Sequence, residues 1–202
     1  MVLFEEEVRE LERKLSTYPT GGTVFYGSSS IRMWNTLAAD FPEAQPLNIG
    51  FGGSTLAACA WHFERLVLPA QPRALVIYAG DNDLGEGRQP EEVCLFFRAL
   101  ADKIQHHLPD IPVTFLSIKP SPARWHIINE IRTTNALIAT AIRDYPQCQF
   151  VDITSLMLTS DGQPDHSLYE ADGLHLRPSG YSRWRQQLVR KSMALRMQEA
   201  TV

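Results

Sequence analysis

The chain's 202 residues can bury one sizeable core, and 44% hydrophobic with 21% charged residues is the balance of an ordinary globular protein. A formal net charge of −4 provides no basic stripe to track a phosphate backbone, so nucleic acid is not an expected partner. No apolar run approaches a membrane span, and Cys59, Cys94 and Cys148 are widely spaced without a CxxC; neither a disulfide framework nor a zinc knuckle is expected, and all three read as buried small residues.

The first residues, Met1-Val2-Leu3-Phe4-Glu5-Glu6-Glu7, lack the basic region and apolar core of a signal peptide, so a cytoplasmic location is the expectation. Phe4, Val8, Leu11 and Leu15 recur at helical spacing, with acids early and bases late, which predicts a leading amphipathic helix within residues 1–18 packed on the body. No repeat or linker divides the rest, and residues 1–202 are expected to form one domain.

Val24-Phe25-Tyr26 then predicts a strand that stops at Gly27 and delivers Ser28, Ser29 and Ser30 to a helix start. Glycine there permits a sharp turn, and a helix N-terminus offers unpaired N–H groups beside the hydroxyls; a serine in that position is equally a helix cap. Ile31, Trp34, Leu37 and Ala38 give one short helical face, closed by Asp40-Phe41-Pro42. A second strand over 46–49 runs into the glycine-rich turn Gly50-Phe51-Gly52-Gly53-Ser54-Thr55 and a helix from 56 to about 68. Lacking the Walker lysine, and with Thr55 in place of a third dinucleotide glycine, that turn does not match the nucleotide loops.

Ala74-Leu75-Val76-Ile77-Tyr78 has the unbroken apolarity of a strand buried on both faces, and it delivers Gly80-Asp81-Asn82-Asp83, whose residue types also suit a plain turn. A helix over about 91–107, a fourth strand over 112–118, a mostly helical stretch over 123–145 and a fifth strand over 149–152 follow. A loop from about 159 carries Asp172-Gly173-Leu174-His175, and a helix over 181–197 closes the chain. Strands alternating with helices predict an α/β fold, a three-layer α/β/α sandwich on a parallel sheet, with the post-strand turns converging on one rim.

On that rim the turns would supply the parts needed for acyl transfer. His175 is the candidate base and Asp172, three residues earlier, the group that orients its ring; the backbone N–H groups of Ser29 and Gly53 and the amide of Asn82 are candidate oxyanion donors. Asn82 suits the role because it donates without charge, whereas Asp81 or Asp83 would repel an oxyanion. Asp165-His166 and His106-His107 lack a ligand set of recognisable spacing and read as solvated surface groups.

These blocks, Gly27-Ser28-Ser29, Gly50-Phe51-Gly52-Gly53, Gly80-Asp81-Asn82-Asp83 and Asp172-Gly173-Leu174-His175, occur in the order found in SGNH (GDSL-type) hydrolases, and the chain resembles the platelet-activating-factor acetylhydrolase-like esterases among them. The resemblance spans residues 24 to about 181. It implies a flavodoxin-like fold with a five-stranded parallel sheet, no cofactor and no metal, a small-molecule ester as substrate, nucleophile Ser29, oxyanion donors Ser29, Gly53 and Asn82, base His175 and orienting acid Asp172. One departure is Ser28, which stands where the family usually has aspartate and puts the local hydrogen-bond scaffold in question.

The expected activity is hydrolysis of a carboxylic ester or thioester with a small acyl group through an acyl-enzyme. The alternatives are a carbohydrate O-deacetylase using the same set and, from another class, a catalytically silent binding module on the same fold. Lys119, Arg124, Trp125 and Arg88, in loops after strands four and three, either border the pocket or are solvated rim residues.

Overall fold

The computed structural model describes residues 4–196. Its centre is a five-stranded, all-parallel sheet in the order β2-β1-β3-β4-β5, formed by β1 (Thr23–Gly27), β2 (Leu47–Gly50), β3 (Ala74–Tyr78), β4 (Val113–Leu116) and β5 (Cys148–Val151). β1 and β3 have neighbours on both edges and are buried throughout, which is why their sequences are apolar without interruption. Alternate residues still feed opposite layers. Val24, Tyr26, Leu75 and Ile77 join one core cluster, and Phe25, Ala74, Val76 and Tyr78 join the other.

The first layer is built from α1 (Glu5–Leu15), with α4 (Leu56–Leu66), α6 (Pro90–His107) and α7 (Ile128–Ala141) after β2, β3 and β4. Val8 and Leu11 turn the apolar stripe of α1 onto α4, as its periodicity predicts; residues 1–3 of that prediction lie outside the described residues. The opposite layer holds α2 (Ser29–Arg32), α3 (Leu37–Asp40), α8 (Pro178–Lys191) and α9 (Met193–Arg196), packed through Trp34, Tyr181 and Trp184. The remaining helix, α5 (Asp81–Gly85), follows β3 at the rim. Among the described residues no helix is long and apolar enough to cross a membrane.

Several expectations need correction. The single helical face over 31–38 is two short helices, and Ala38 is exposed. Trp34 is drawn into the core against Phe25 and Phe41, and its indole N–H donates to Asp40 Oδ2 at 2.7 Å, a bond Thr36 Oγ1 shares at 2.6 Å; that inward turn ends α2 early. β4 is shorter than 112–118: Ser117 still donates its N–H to the Val151 carbonyl at 3.0 Å, but the Ile118 N–H turns to a side chain, Asn135 Oδ1, at 2.8 Å. The closing helix breaks at Ser192, whose hydroxyl meets Thr114 Oγ1 at 2.8 Å, and Met197 lies outside the described residues. Of the cysteines only Cys59 is fully buried.

Candidate active site

Two strands leave β1 in opposite directions in the sheet order, since β2 lies on one side and β3 on the other. The crevice beyond their carboxyl ends is the place where open parallel sheets bind ligands. Three turns meet there, after β1, β2 and β3, and the chain returns a fourth loop from residues 169–176.

The β1 turn is held by main chain. Gly27 has φ +140°, and a Cβ would come within 1.9 Å of the Tyr78 carbonyl oxygen, so only glycine passes this point. Ser28 donates its N–H to that same oxygen at 2.9 Å and caps α2 through its own carbonyl, which accepts from Ile31 at 2.9 Å and Arg32 at 3.1 Å. At position 28 these main-chain bonds hold the turn, and the Ser28 side chain makes no cap hydrogen bond. Ser28 and Ser30 are buried, and Ser29 alone of the three is partly open. Tyr181 OH donates to the Ser30 carbonyl at 2.9 Å and fixes α2 from the opposite layer.

The fourth loop brings an imidazole to Ser29. His175 Nε2 is 3.1 Å from Ser29 Oγ, and its Nδ1 is 2.6 Å from Asp172 Oδ2. The other Asp172 oxygen accepts the N–H groups of Leu174 at 2.8 Å and His175 at 3.0 Å, an Asx-type turn that needs only the three-residue spacing. Partial burial pushes the Asp172 carboxyl up, but the Leu174 N–H, the His175 ring and the His175 N–H outweigh it and hold the group down at about 2. Asp172 is thus an anion facing Nδ1 at neutral pH, which keeps the proton on that nitrogen and leaves Nε2 able to accept one.

The remaining candidates sit on two linked turns. Gly53 is exposed with φ +67°, so its N–H is unscreened by a side chain. Asn82, on α5, donates one amide N–H to the Ser54 carbonyl at 3.0 Å and retains a second donor. Next to it Asp83 is fully buried and accepts the Leu56 N–H at 2.8 Å, clamping α5 to the start of α4; burial pushes its carboxyl up to about 6. The Gly80 to Asp83 segment is therefore not a plain turn but the opening of a short helix.

Sequence reasoning missed two residues. Glu7 Oε1, on α1, accepts the Gly52 N–H at 2.9 Å and an Arg32 N–H at 3.1 Å, so the leading helix holds the β2 turn and α2 together. Lys119, read as a pocket or rim residue, is 1% exposed and paired with Asp81 at 2.8 Å beneath α5. Among the described residues no cluster of His, Cys, Asp and Glu could hold a metal ion.

Sheet order, rim and convergent turns define a doubly wound α/β enzyme of the SGNH type. The chain belongs to the GDSL-like lipase/acylhydrolase family, whose model matches residues 17–183, and it is an esterase or acylhydrolase. Among solved structures it is similar to a Streptococcus pneumonia protein named for platelet activating factor, at 18% identity over 92% of each chain and a TM-score of 0.80. A GDSL-like lipase from Bacteroides thetaiotaomicron is 20% identical over 91% of this chain and 95% of its own, TM-score 0.77. A carbohydrate esterase family 3 protein from Talaromyces cellulolyticus is 13% identical over 91% of this chain and 100% of its own, TM-score 0.70. At such identities the likeness is one of fold. Among curated proteins no sequence match is found.

Proposed function

We propose that this protein hydrolyses a carboxylic ester or thioester through an acyl-enzyme on Ser29. The observation that carries the reading is the continuous chain from Ser29 Oγ through the His175 ring to Asp172, with steps of 3.1 and 2.6 Å. Both are within reach of direct proton transfer and orientation. In this scheme Ser29 Oγ attacks the acyl carbon as its proton passes to His175 Nε2. The imidazolium, stabilised by Asp172, returns the proton to the leaving alcohol or thiol. Water then repeats the sequence on the acyl-enzyme, using the same base.

Negative charge on the carbonyl oxygen would be met by three donors on this rim: the Ser29 N–H at the start of α2, the Gly53 N–H and the second amide N–H of Asn82. The bond from Asn82 to the Ser54 carbonyl supports a pairing of the last two donors, because it ties their turns together. We take the acyl group to be small, because short connections leave little material for a lid over a long acyl tunnel.

Stopped-flow hydrolysis of an activated acetate ester tests the scheme. A burst of released alcohol equal to the enzyme concentration is expected, and folded Ser29→Ala and His175→Ala proteins should lack it. A burst that persists in Ser29→Ala contradicts the proposal. Extending the same assay to longer acyl esters and to sugar acetates separates a short-chain esterase from a carbohydrate deacetylase.

A further inference from the structure

Behind Asn82 lies a group of charges that the hydrolytic scheme does not use. Lys119 Nζ is 2.8 Å from Asp81 Oδ2, donates to Tyr78 OH at 3.2 Å and lies 5.3 Å from the centre of that ring. Asp81 is buried and directs its second oxygen, Oδ1, toward Arg124 Nε at 3.6 Å, too long for a hydrogen bond. Both of those atoms are buried and neither has a hydrogen-bond partner. Two cations thus share one carboxylate. Of the other acids on these elements, Asp83 accepts the Leu56 N–H, and Asp172 is committed to the His175 ring and two backbone N–H groups.

The position of Arg124 follows from what its segment touches. The 3₁₀ turn Pro122–Ile127 donates the Ala123 N–H to the Gly173 carbonyl, at 3.0 Å, inside the loop that carries Asp172 and His175. From the same turn the Arg124 guanidinium reaches α5 and lies against Gly85, where a Cβ would sit 2.4 Å from Cζ. Arg124 therefore spans the wall between the His175 loop and the helix of Asn82, with its side chain a quarter exposed. A mostly buried guanidinium that shares its only nearby carboxylate with a lysine, and whose Nε–H has no hydrogen-bond partner, is a receptor for an anion, and its planar fork fits a carboxylate.

We propose that Arg124 is a recognition residue for a carboxylate on the substrate, so that the ester hydrolysed at Ser29 is an anionic one. Lys119 neutralises Asp81 from below and keeps the Arg124 charge available. Gly85 provides the room in which the guanidinium lies. The inference rests on the Ser29 and Asn82 reading only for the placement of the scissile carbonyl.

Two matched pairs locate the carboxylate: monomethyl succinate against methyl succinamate for the acyl side, and acetoxyacetate against acetoxyacetamide for the alcohol side. In one pair the anion should have a kcat/KM at least about tenfold above its amide, the scale of a charge-assisted bond over a neutral one. That ratio should fall to about one in Arg124→Gln, and fall in Gly85→Ala, where the charge remains but is displaced. Ratios near one in both pairs of the parent enzyme, or a ratio untouched by Arg124→Gln, overturn the proposal.

A second measurement is independent of turnover. Calorimetry on Ser29→Ala protein should show succinamate binding about tenfold more tightly than succinamide, or glycolate more tightly than glycolamide, with the difference lost on adding Arg124→Gln. Equal affinities in both pairs refute the subsite even if esters are cleaved. An Arg124-dependent difference without cleavage supports the subsite and refutes the Ser29 reading instead.

Discussion

Removing Glu7 should slow turnover although it lies on the leading helix and touches no substrate. Its carboxylate accepts the Gly52 N–H at 2.9 Å, the peptide immediately before the Gly53 donor, and the Arg32 guanidinium at 3.1 Å. A hydrogen bond to a charged acceptor contributes about 1.5–3 kcal/mol when well shielded. The Glu7 side chain is 28% exposed, so solvent screening brings this down to about 1–2 kcal/mol, and the half-exposed Arg32 pair adds little. If that energy holds the Gly53 N–H on the oxyanion, Glu7→Ala should cost about five- to thirtyfold in kcat. The ceiling is the hundredfold or more that accompanies complete loss of a donor. KM should change little, because the donor acts on the transition state. Glu7→Gln retains an acceptor oxygen and should recover part of the loss. Steady-state kinetics on the three proteins, with melting curves to verify folding, make the test. A folded Glu7→Ala enzyme with kcat within twofold of the parent refutes the reasoning.

Two further outcomes follow from the site. Asn82→Ala should lower kcat about a hundredfold or more with the fold intact; near-normal activity in the folded variant would remove Asn82 from the mechanism. Asp83 gives a pH dependence of stability whose sign is set by its raised value. Its folded carboxyl titrates at about 6 against 3.8 for an ordinary aspartate, so the folded state favours the protonated form. Stability from this group is full below about pH 4, is lost as pH rises to about 6, and is level above, a change of about 2–3 kcal/mol. Urea unfolding at pH 4 and 7 should show that slope in the parent and a flatter one in Asp83→Asn; identical slopes would contradict the assignment.

The fold and the turns were readable because their causes are local. Ala74 to Tyr78 is a strand in the sequence and in the structure because apolar residues without alternation suit only a strand covered on both faces. Glycine, serine and asparagine after successive strands mark the rim, and Asp172 and His175 meet because they lie three positions apart in one turn. Missed features depend on partners distant in sequence. Glu5, Glu6 and Glu7 read as acids suited to a helix start, yet Glu5 binds Arg65, 60 residues away, and Glu7 binds Gly52, 45 residues away. Lys119 looked like a loop cation because nothing local reveals that Asp81 waits 38 residues upstream in a buried site. The broken helix over 31–38 belongs to the same group, since Trp34 is pulled in by Phe25 and by Trp184, which lies at the other end of the chain.

Ser29 is the claim on which the chemistry depends, and covalent trapping addresses it most directly. Ser28 is buried at the cap of α2 and Ser30 is buried beneath Tyr181, so only Ser29 combines exposure with the His175 contact. Reaction with a fluorophosphonate followed by tandem mass spectrometry of the labelled peptide should place a single adduct on Ser29. Ser29→Ala should take up no label, and Ser28→Ala and Ser30→Ala should remain reactive. An adduct on Ser28 or Ser30, or labelling of a folded Ser29→Ala protein, would contradict the account.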